Sequence, residues 1–196
     1  MNTLTYPARP MNGGPLNGSP KLGRWLYEPK YNGWRVLVHV PTGTCFNRHG
    51  QPLSIQDEFA VALGMLRGGC PYTWLDCEAL ERRHGLGRGT LILLDILDRA
   101  RIPYERRMLT GLEWPNRPSP LPLDKPPAAE SGYTAAGPFE GLVDVRRVWD
   151  WMQRINQQWG CTFYEGVVAK RADSLYPLQL QSPDRTTPDW VKHRFV

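Results

Sequence analysis

An Asn-Gly pair between two β-prone runs is the feature that most restricts how this chain can fold. Residues 28–35 read Glu-Pro-Lys-Tyr-Asn-Gly-Trp-Arg, with apolar residues at 25–27 before them and at most positions of 36–40 after them. Because Asn-Gly between such runs favours a hairpin-like reversal, the segment predicts a strand, a turn and a second strand. Lys30 then stands at the mouth of the turn, where a rigid frame presents it to a cleft as a candidate nucleophile. The octapeptide alone is equally compatible with an ordinary solvated lysine.

The composition is that of a globular domain. The chain has 196 residues, 41% of them hydrophobic, which suffices for one domain with a core. No apolar run approaches the roughly 20 residues of a membrane span, and residues 1–20 lack the apolar segment of a secretory signal. The four cysteines form no C-x-x-C pair, so we expect no zinc site and a reducing, cytoplasmic location. The net charge of +5 is compatible with a polyanionic partner without requiring one.

The spacing of apolar and turn residues predicts an α+β fold with mostly antiparallel sheets. Residues 1–23 are rich in proline and are predicted to be an extended lead-in, and residues 24–196 are predicted to form the domain. We predict strands at 24–27, 34–40, 43–47, 72–80, 90–97, 161–170 and 190–195. We predict helices at 54–66, 104–112 and 144–159, with Ser54 and Asp144 as N-caps. The segments 81–89, 114–141 and 175–188 are predicted to be turns and loops.

Charged side chains recur on the predicted strands. Asp76 and Glu78 stand at i and i+2, which puts both on one strand face, and Lys192 and Arg194 share a face in the same way. Asp95 ends an apolar strand, where it either belongs to a site or caps a turn. Asp76 by itself is also compatible with a simple ion pair to a neighbouring base.

In their order along the chain, these motifs resemble those of the covalent nucleotidyltransferases. The order is Lys-x-(Asp)-Gly-x-Arg, Asp-x-Glu, an apolar strand ending in Asp, Glu-Gly-apolar-apolar-x-Lys, and Trp-x-Lys-x-Arg. Within that superfamily, residues 28–35 and 104–107 most resemble the adenylation domain of ATP-dependent DNA ligases. The resemblance covers residues 28–194. It implies an ATP-grasp-like α+β domain of two mostly antiparallel sheets flanked by helices.

The resemblance implies a reaction. Lys30 would attack the α-phosphate of ATP to form a lysyl–AMP intermediate, and the enzyme would seal 5′-phosphate and 3′-hydroxyl ends in nicked duplex DNA or RNA. A free lysine has a pKa of about 10.4 and is protonated at neutral pH, so we expect nearby cations to lower its pKa. The resemblance assigns Lys170 and Lys192 to the α-phosphate as further catalytic groups. Arg194 would add positive charge at the bound nucleotide.

The remaining site residues are also implied by the resemblance. Glu165 would hold Mg²⁺, which prefers oxygen ligands and phosphate, with Asp76 as a second candidate metal ligand. The nucleotide would be bound by Glu28 beside the adenine and by Arg35 and Glu78 at the ribose. Arg48 would contact a 5′-phosphate or the nucleic-acid backbone, although its residue type alone supports only a phosphate contact.

One pair conflicts with regular strand geometry. Glu165 and Lys170 have opposite parity, so a regular strand would point them to opposite faces. Either the strand twists or bulges there, or one of the two assignments is wrong.

The chain departs from the family pattern at three places. Asn32 stands where the family usually has Asp, so we expect the turn to survive and activity to be lower or pH-shifted. Leu94 stands where an aromatic residue often stacks on the adenine, so contact there would be apolar without stacking. The sequence ends at Val196, where the family continues into an oligonucleotide-binding (OB) barrel. We therefore expect the barrel to be removed, naturally missing or supplied by another chain.

Two other functions remain open at this point. An RNA ligase or a capping-type nucleotidyltransferase would use the same motifs. A catalytically weak remnant that only binds nucleotide or nucleic acid would be compatible with Asn32, with Leu94 and with the missing barrel.

Overall fold

The computed structural model of the protein describes residues 6–7, 9–13, 16, 23–80, 86–109, 114, 125, 133–135, 139–140, 142–179 and 186–195. Within these residues, two larger sheets and a two-stranded pair are accompanied by three α-helices and a short 3-10 turn. The predicted α+β fold with two mostly antiparallel sheets is thereby confirmed. No helix in the described part of the chain is both long and apolar enough to cross a membrane.

The first sheet has six strands in the spatial order β6, β5, β4, β7, β8, β9. In chain order these are β4 (Trp34–His39), β5 (Thr44–Phe46), β6 (Pro52–Leu53), β7 (Trp74–Leu80), β8 (Thr90–Ile96) and β9 (Tyr133–Ala135). All neighbouring strands are antiparallel except β8 and β9. The helix α1 (Ala60–Gly69) packs on one face of this sheet, and Phe59, Leu63 and Leu66 join Val38 and Leu75 in a buried cluster.

The second sheet has five strands in the spatial order β10, β3, β11, β13, β2. In chain order these are β2 (Arg9–Asn12), β3 (Trp25–Tyr31), β10 (Phe139–Glu140), β11 (Tyr164–Arg171) and β13 (Thr186–Arg194). The helix α3 (Leu142–Trp159) covers its outer face, where Met152 and Ile155 pack with Tyr31 and Val167. Burying each such side chain contributes roughly 1.5–3 kcal/mol, so the first cluster stabilises the packing of α1 on the first sheet and the second cluster that of α3 on the second sheet.

The remaining elements are short. A two-stranded pair joins β1 (Tyr6–Pro7) to β12 (Leu178–Gln179), and α2 (Tyr104–Leu109) follows the 3-10 turn Leu97–Arg99. Asp95, left open between a site residue and a turn cap, is buried and pairs with Arg107 of α2 through both carboxylate oxygens, at 2.5 and 2.9 Å. Asp95 therefore joins α2 to the first sheet instead of facing a ligand.

Several predicted boundaries differ from the structure. The helix predicted at 54–66 begins at Ala60, because Pro52 and Leu53 pair with β5 and residues 56–59 form turns, so Ser54 is not its N-cap. The helix predicted to start at Asp144 begins at Leu142. The helix predicted at 104–112 is described to Leu109, and residues 110–112 lie outside the described residues.

Long-range pairing explains the other differences. The strand predicted at 24–27 runs to Tyr31, so Lys30 lies within a strand and the turn is formed by Asn32 and Gly33. The strand predicted at 190–195 begins at Thr186, because residues 186–187 pair in parallel with residues 9–10 of the predicted lead-in. Two short strands, 133–135 and 139–140, lie in the segment predicted to be a loop, and most of that segment and residues 81–85 lie outside the described residues.

Candidate active site

A pocket of about 300 Å³ lies between the two sheets. That volume is at the lower end of the range for small-molecule sites. Its walls come from β3, β11 and β13 of the second sheet and from β4, β7 and β8 of the first. Ten of the predicted site residues line it, namely Glu28, Lys30, Arg35, Arg48, Asp76, Glu78, Leu94, Lys170, Lys192 and Arg194.

Strand register explains why residues far apart in sequence share this pocket. The pocket residues of β11 and β13 occupy alternate positions, as do Glu28 and Lys30 on β3, and side chains at alternate positions of a strand point to one face. The register pairs Glu28 with Val168, and Val168 in turn with Lys192. On the opposite wall, Arg35 of β4 pairs with Glu78 of β7.

A β-bulge resolves the parity conflict between Glu165 and Lys170. Along β11, Tyr164 pairs with Tyr31 and Gly166 pairs with Lys30, which leaves Glu165 as an extra residue in the ladder. A bulge of this kind redirects a side chain that a regular strand would send to the other face. The carboxylate of Glu165 therefore contacts Nζ of Lys30, and Nη2 of Arg194 lies 3.3 Å from the same oxygen.

Gly166 makes this bulge possible. Its φ of +141° lies in a region that side chains rarely adopt, and a Cβ there would lie 2.0 Å from the carbonyl oxygen of His193. The glycine therefore lets β11 and β13 approach closely at the point where Glu165 turns toward Lys30.

Lys170 is buried and pairs with a different carboxylate, that of Glu28. Its Nζ lies 2.8 Å from Oε2 of Glu28 and donates to the carbonyl oxygen of Leu94 at 3.1 Å, and the side chain is only 3% exposed. The ammonium also lies 4.6 and 4.7 Å from the ring centres of Tyr104 and Trp190. This geometry does not favour the predicted contact of Lys170 with the α-phosphate, because its charge is already paired. It favours a role in shaping the Glu28 end of the pocket.

Glu28 is buried at that end of the pocket. Oε1 accepts a hydrogen bond from the hydroxyl of Tyr104, and the residue is 1% exposed. Burial raises the pKa of Glu28 above its ordinary value, and the nearby Lys170 opposes that shift. Tyr104 lies in the segment 104–107 that carries part of the family resemblance, but the sequence assigns it no role in the site.

Asp76 is paired with Arg35. Nε of Arg35 donates to Oδ1 at 2.9 Å and Nη2 donates to Oδ2 at 2.5 Å, while the hydroxyl of Tyr176 donates to Oδ2 at 2.8 Å. The Asp76 side chain is fully buried. Because both oxygens already accept hydrogen bonds, this arrangement does not favour Asp76 as a metal ligand, and it agrees with the simple ion pair left open above.

The same pair orients Arg35 toward the pocket. Burial lowers the pKa of Arg35, but the Asp76 carboxylate outweighs that effect and raises it, so the guanidinium stays charged. The guanidinium carbon lies 5.3 Å from the ring centre of Trp190, and Tyr176 packs edge-on against that ring. No local sequence pattern assigned a role to Tyr176, because its contact with Asp76 spans 100 residues.

Glu78 has a perturbed acidity. Its Oε1 accepts from the backbone N–H of Gly33 at 3.0 Å, at the turn that follows Lys30. Burial raises the pKa of Glu78 from 4.5 to about 7, although Lys30, the Gly33 N–H and Arg35 each act to lower it. A carboxyl that changes charge near neutral pH inside a pocket is typical of functional sites.

The open side of the pocket is basic. Arg48 is exposed in the loop after β5, where its Nε lies 2.9 Å from Nε2 of His49, and Arg194 is also exposed. Lys192 stands two residues before Arg194 in β13 and is partly buried. Leu94 contributes an apolar wall from an irregular position in β8, opposite the step between Asp76 and Cys77.

The carboxylates fit Mg²⁺ only in a limited way. Among the described residues no cluster of three or more His, Cys, Asp or Glu side chains could hold a metal ion. Mg²⁺ is, however, commonly held by one or two carboxylates together with substrate phosphates and water. Glu165 fits that arrangement, because it is partly exposed beside Lys30.

Solved structures share this fold. The chain superimposes on the ligase domain from M. tuberculosis LigD with a TM-score of 0.63 and 20% identity, covering 97% of this chain and 59% of that one. A mycobacterial DNA ligase D complexed with ATP and MES gives a TM-score of 0.60 at 20% identity, covering 97% and 60%. The Chlorella virus DNA ligase-adenylate gives a TM-score of 0.56 at 15% identity, covering 97% and 67%.

These likenesses show that the chain has the nucleotidyltransferase-domain fold of ATP-dependent DNA ligases. The chain spans about three fifths of the length of the two mycobacterial structures. No protein-family model and no curated protein sequence matches it.

Proposed function

We propose that this chain is the nucleotidyltransferase domain of an ATP-dependent polynucleotide ligase, with Lys30 as the group that accepts AMP. The contact between Lys30 and Glu165 is the observation that carries the proposal. Lys30 lines a pocket that Lys192 and Arg194 also line, and the Glu165 carboxylate contacts its amine. A nucleoside triphosphate would therefore find cations for its phosphates and a nucleophile beside them.

The proposed step balances as a substitution at phosphorus. As the cation of its ion pair with Glu165, Lys30 first gives one proton to the contacting carboxylate, which is the candidate base. The freed Nζ lone pair then forms a bond to the α-phosphorus of ATP, and the bond from that phosphorus to the bridging oxygen breaks. Pyrophosphate leaves with the electron pair of that bond, and the nitrogen releases its second proton to water.

The other residues of the pocket would bind the substrate. Lys192 and Arg194 would neutralise the phosphate oxygens, and Arg35 and Glu78 would contact the ribose. Bound Mg²⁺, held by Glu165, would supply further positive charge to the phosphates.

We propose nicked duplex DNA as the polynucleotide. The structures with this fold are named as DNA ligases, and Arg48 is exposed at the rim, where it would contact a terminal 5′-phosphate. Comparing the sealing of nicked DNA with that of nicked RNA tests this choice. Faster sealing of RNA would replace DNA by RNA as the substrate.

Intact-mass measurement after incubation with ATP and Mg²⁺ tests the covalent step. We expect an acid-labile AMP adduct on the wild-type chain and none on Lys30→Ala. Lys125→Ala is the matched control, because Lys125 is exposed and does not line the pocket, and it should form the adduct at the wild-type rate. Labelling by GTP in place of ATP would point to a capping-type enzyme. No adduct at any pH, with nucleotide binding intact, would identify a binding module.

A further inference from the structure

Asn32 makes two hydrogen bonds to the segment that leads into Glu165. Its backbone N–H donates to the carbonyl oxygen of Phe163 at 3.0 Å, and its side-chain Nδ2 donates to the carbonyl oxygen of Thr162 at 2.9 Å. The residue therefore joins the turn directly after Lys30 to the two residues before β11.

The segment reached by Asn32 is itself anchored from the other side. Oδ1 of Asn156 in α3 accepts from the N–H groups of Phe163 and Tyr164, both at 3.0 Å, and its Nδ2 donates to the carbonyl oxygen of Tyr164 at 2.7 Å. Residues 163 and 164 are thus attached to α3. The hydrogen bonds from Asn32 to Thr162 and Phe163 join the turn at residues 32–33 to this anchored segment.

The bulge at Glu165 makes this attachment important. The ladder between β3 and β11 is interrupted between Tyr164 and Gly166, which is where the reactive amine and the carboxylate must meet. Because a bulge leaves its extra residue unpaired, backbone pairing alone holds this point less firmly than a regular ladder would. The hydrogen bond from the Asn32 side chain to Thr162 links the two segments next to the bulge.

We propose that Asn32 is a positioning residue for nucleotidyl transfer at Lys30, acting through the hydrogen bond from its amide to residue 162. The proposal rests on the proposed function, since it concerns the rate of that same transfer. The partner is a carbonyl oxygen that can only accept, so the side chain at position 32 must supply a donor to keep this bond. Aspartate, which the family usually has at this position, would face that oxygen without a proton to share. The structure therefore gives the opposite expectation to the sequence, namely that in this chain Asn32 supports transfer instead of lowering it.

Two substitutions test the proposal, both measured by single-turnover formation of the lysyl–AMP adduct over a range of ATP concentrations. Asn32→Ala removes the donor, and Asn32→Asp keeps the shape but replaces the donor with an acceptor. We expect both to slow transfer at saturating ATP by roughly tenfold or more, because small displacements of reacting groups cost this much. The ATP concentration for half the maximal rate should stay within about twofold, because Asn32 does not line the pocket.

Gln158→Glu is the matched control, since it makes the same amide-to-carboxylate change at an exposed position of α3. It should transfer at the wild-type rate. Wild-type transfer rates in both Asn32 variants would overturn the proposal, and so would a loss of rate that is fully explained by weaker ATP binding.

Hydrogen–deuterium exchange tests the attachment without any activity. We expect faster exchange in Asn32→Ala and Asn32→Asp in the segments 29–35 and 161–167, with exchange in α1 unchanged. Unchanged exchange in the two segments would overturn the proposal even if transfer is slow. If the wild-type chain forms no adduct, the proposed function fails, while the exchange measurement still decides whether Asn32 holds the turn.

Discussion

Lys30 and Glu165 lie 135 residues apart in the chain, and their side chains meet because a single extra residue in β11 turns the carboxylate toward the amine. Both side chains are partly exposed, at 18% and 24%. An ion pair with this exposure contributes little to stability, typically up to about 1 kcal/mol. Its geometry is therefore better explained by chemistry in the pocket than by a need to stabilise the fold.

Substituting Glu165 should separate activity from stability. We expect Glu165→Gln to lower adenylylation by roughly a hundredfold or more, because it removes the carboxylate beside the amine. The free energy of unfolding should change by about 1 kcal/mol or less. Single-turnover kinetics measures the adenylylation rate, and urea denaturation measures the free energy of unfolding. Glu58→Gln, which removes the surface ion pair with Arg88, is the control. Wild-type adenylylation in Glu165→Gln would show that this carboxylate has neither a metal-binding nor a proton-accepting role.

Gly166 should tolerate no side chain. We expect Gly166→Ala to destabilise the protein by about 2 kcal/mol or more, because a Cβ would strain the backbone at φ +141° and collide with the carbonyl oxygen of His193. Gly64→Ala is the matched control, since it lies in α1 with open space around a Cβ. That change should stabilise the protein by about 0.5–1 kcal/mol. Equal effects of the two substitutions in urea denaturation would contradict the strained bulge.

Glu78 should make stability depend on pH. With its pKa raised from 4.5 to about 7, the folded protein keeps a proton that the unfolded chain has released between these values. The stability contributed by this carboxyl is therefore fully present below pH 4.5 and is lost as the pH rises to about 7. We expect Glu78→Gln to flatten this part of the curve of unfolding free energy against pH. A wild-type slope that persists in Glu78→Gln would assign the titration to another group.

The buried pair of Lys170 and Glu28 should show strong coupling. Lys170→Met leaves the Glu28 carboxyl buried without its cation, so we expect a loss of about 3–5 kcal/mol in unfolding free energy. Adding Glu28→Gln to that variant removes the uncompensated charge and should recover part of the loss. Additive effects of the two substitutions in denaturation experiments would mean that the two groups do not act as a pair.

The sequence predicted most of the pocket residues through the resemblance of its motifs to those of the nucleotidyltransferases. Asp76 and Glu78 were placed on one strand face by their spacing alone, and both line the pocket. The order of the motifs indicated the fold, and solved ligase structures share that fold. The metal and phosphate contacts assigned through the resemblance stay predictions, with the geometry unfavourable to them at Asp76 and Lys170.

The ion-pair and hydrogen-bond partners of the charged pocket residues could not be predicted from the sequence. The Asp76 carboxylate accepts hydrogen bonds from Arg35 and Tyr176, which lie 41 and 100 residues away. No local sequence pattern encodes such pairings. The start of α1 was predicted too early because pairing of residues 52–53 with β5 overrides the local helical signal.

The amino-acid sequence by itself determined which faces of the strands carry charge, because alternation along a strand is a local property of the backbone. It also determined that Glu165 and Lys170 could both belong to the site only if the strand twists or bulges, since their parity is read directly from their numbers. Only the tertiary structure decided which cation meets which carboxylate. That choice depends on the register between strands distant in sequence and on the single unpaired residue in β11, which sends Glu165 to Lys30 and leaves Lys170 with Glu28.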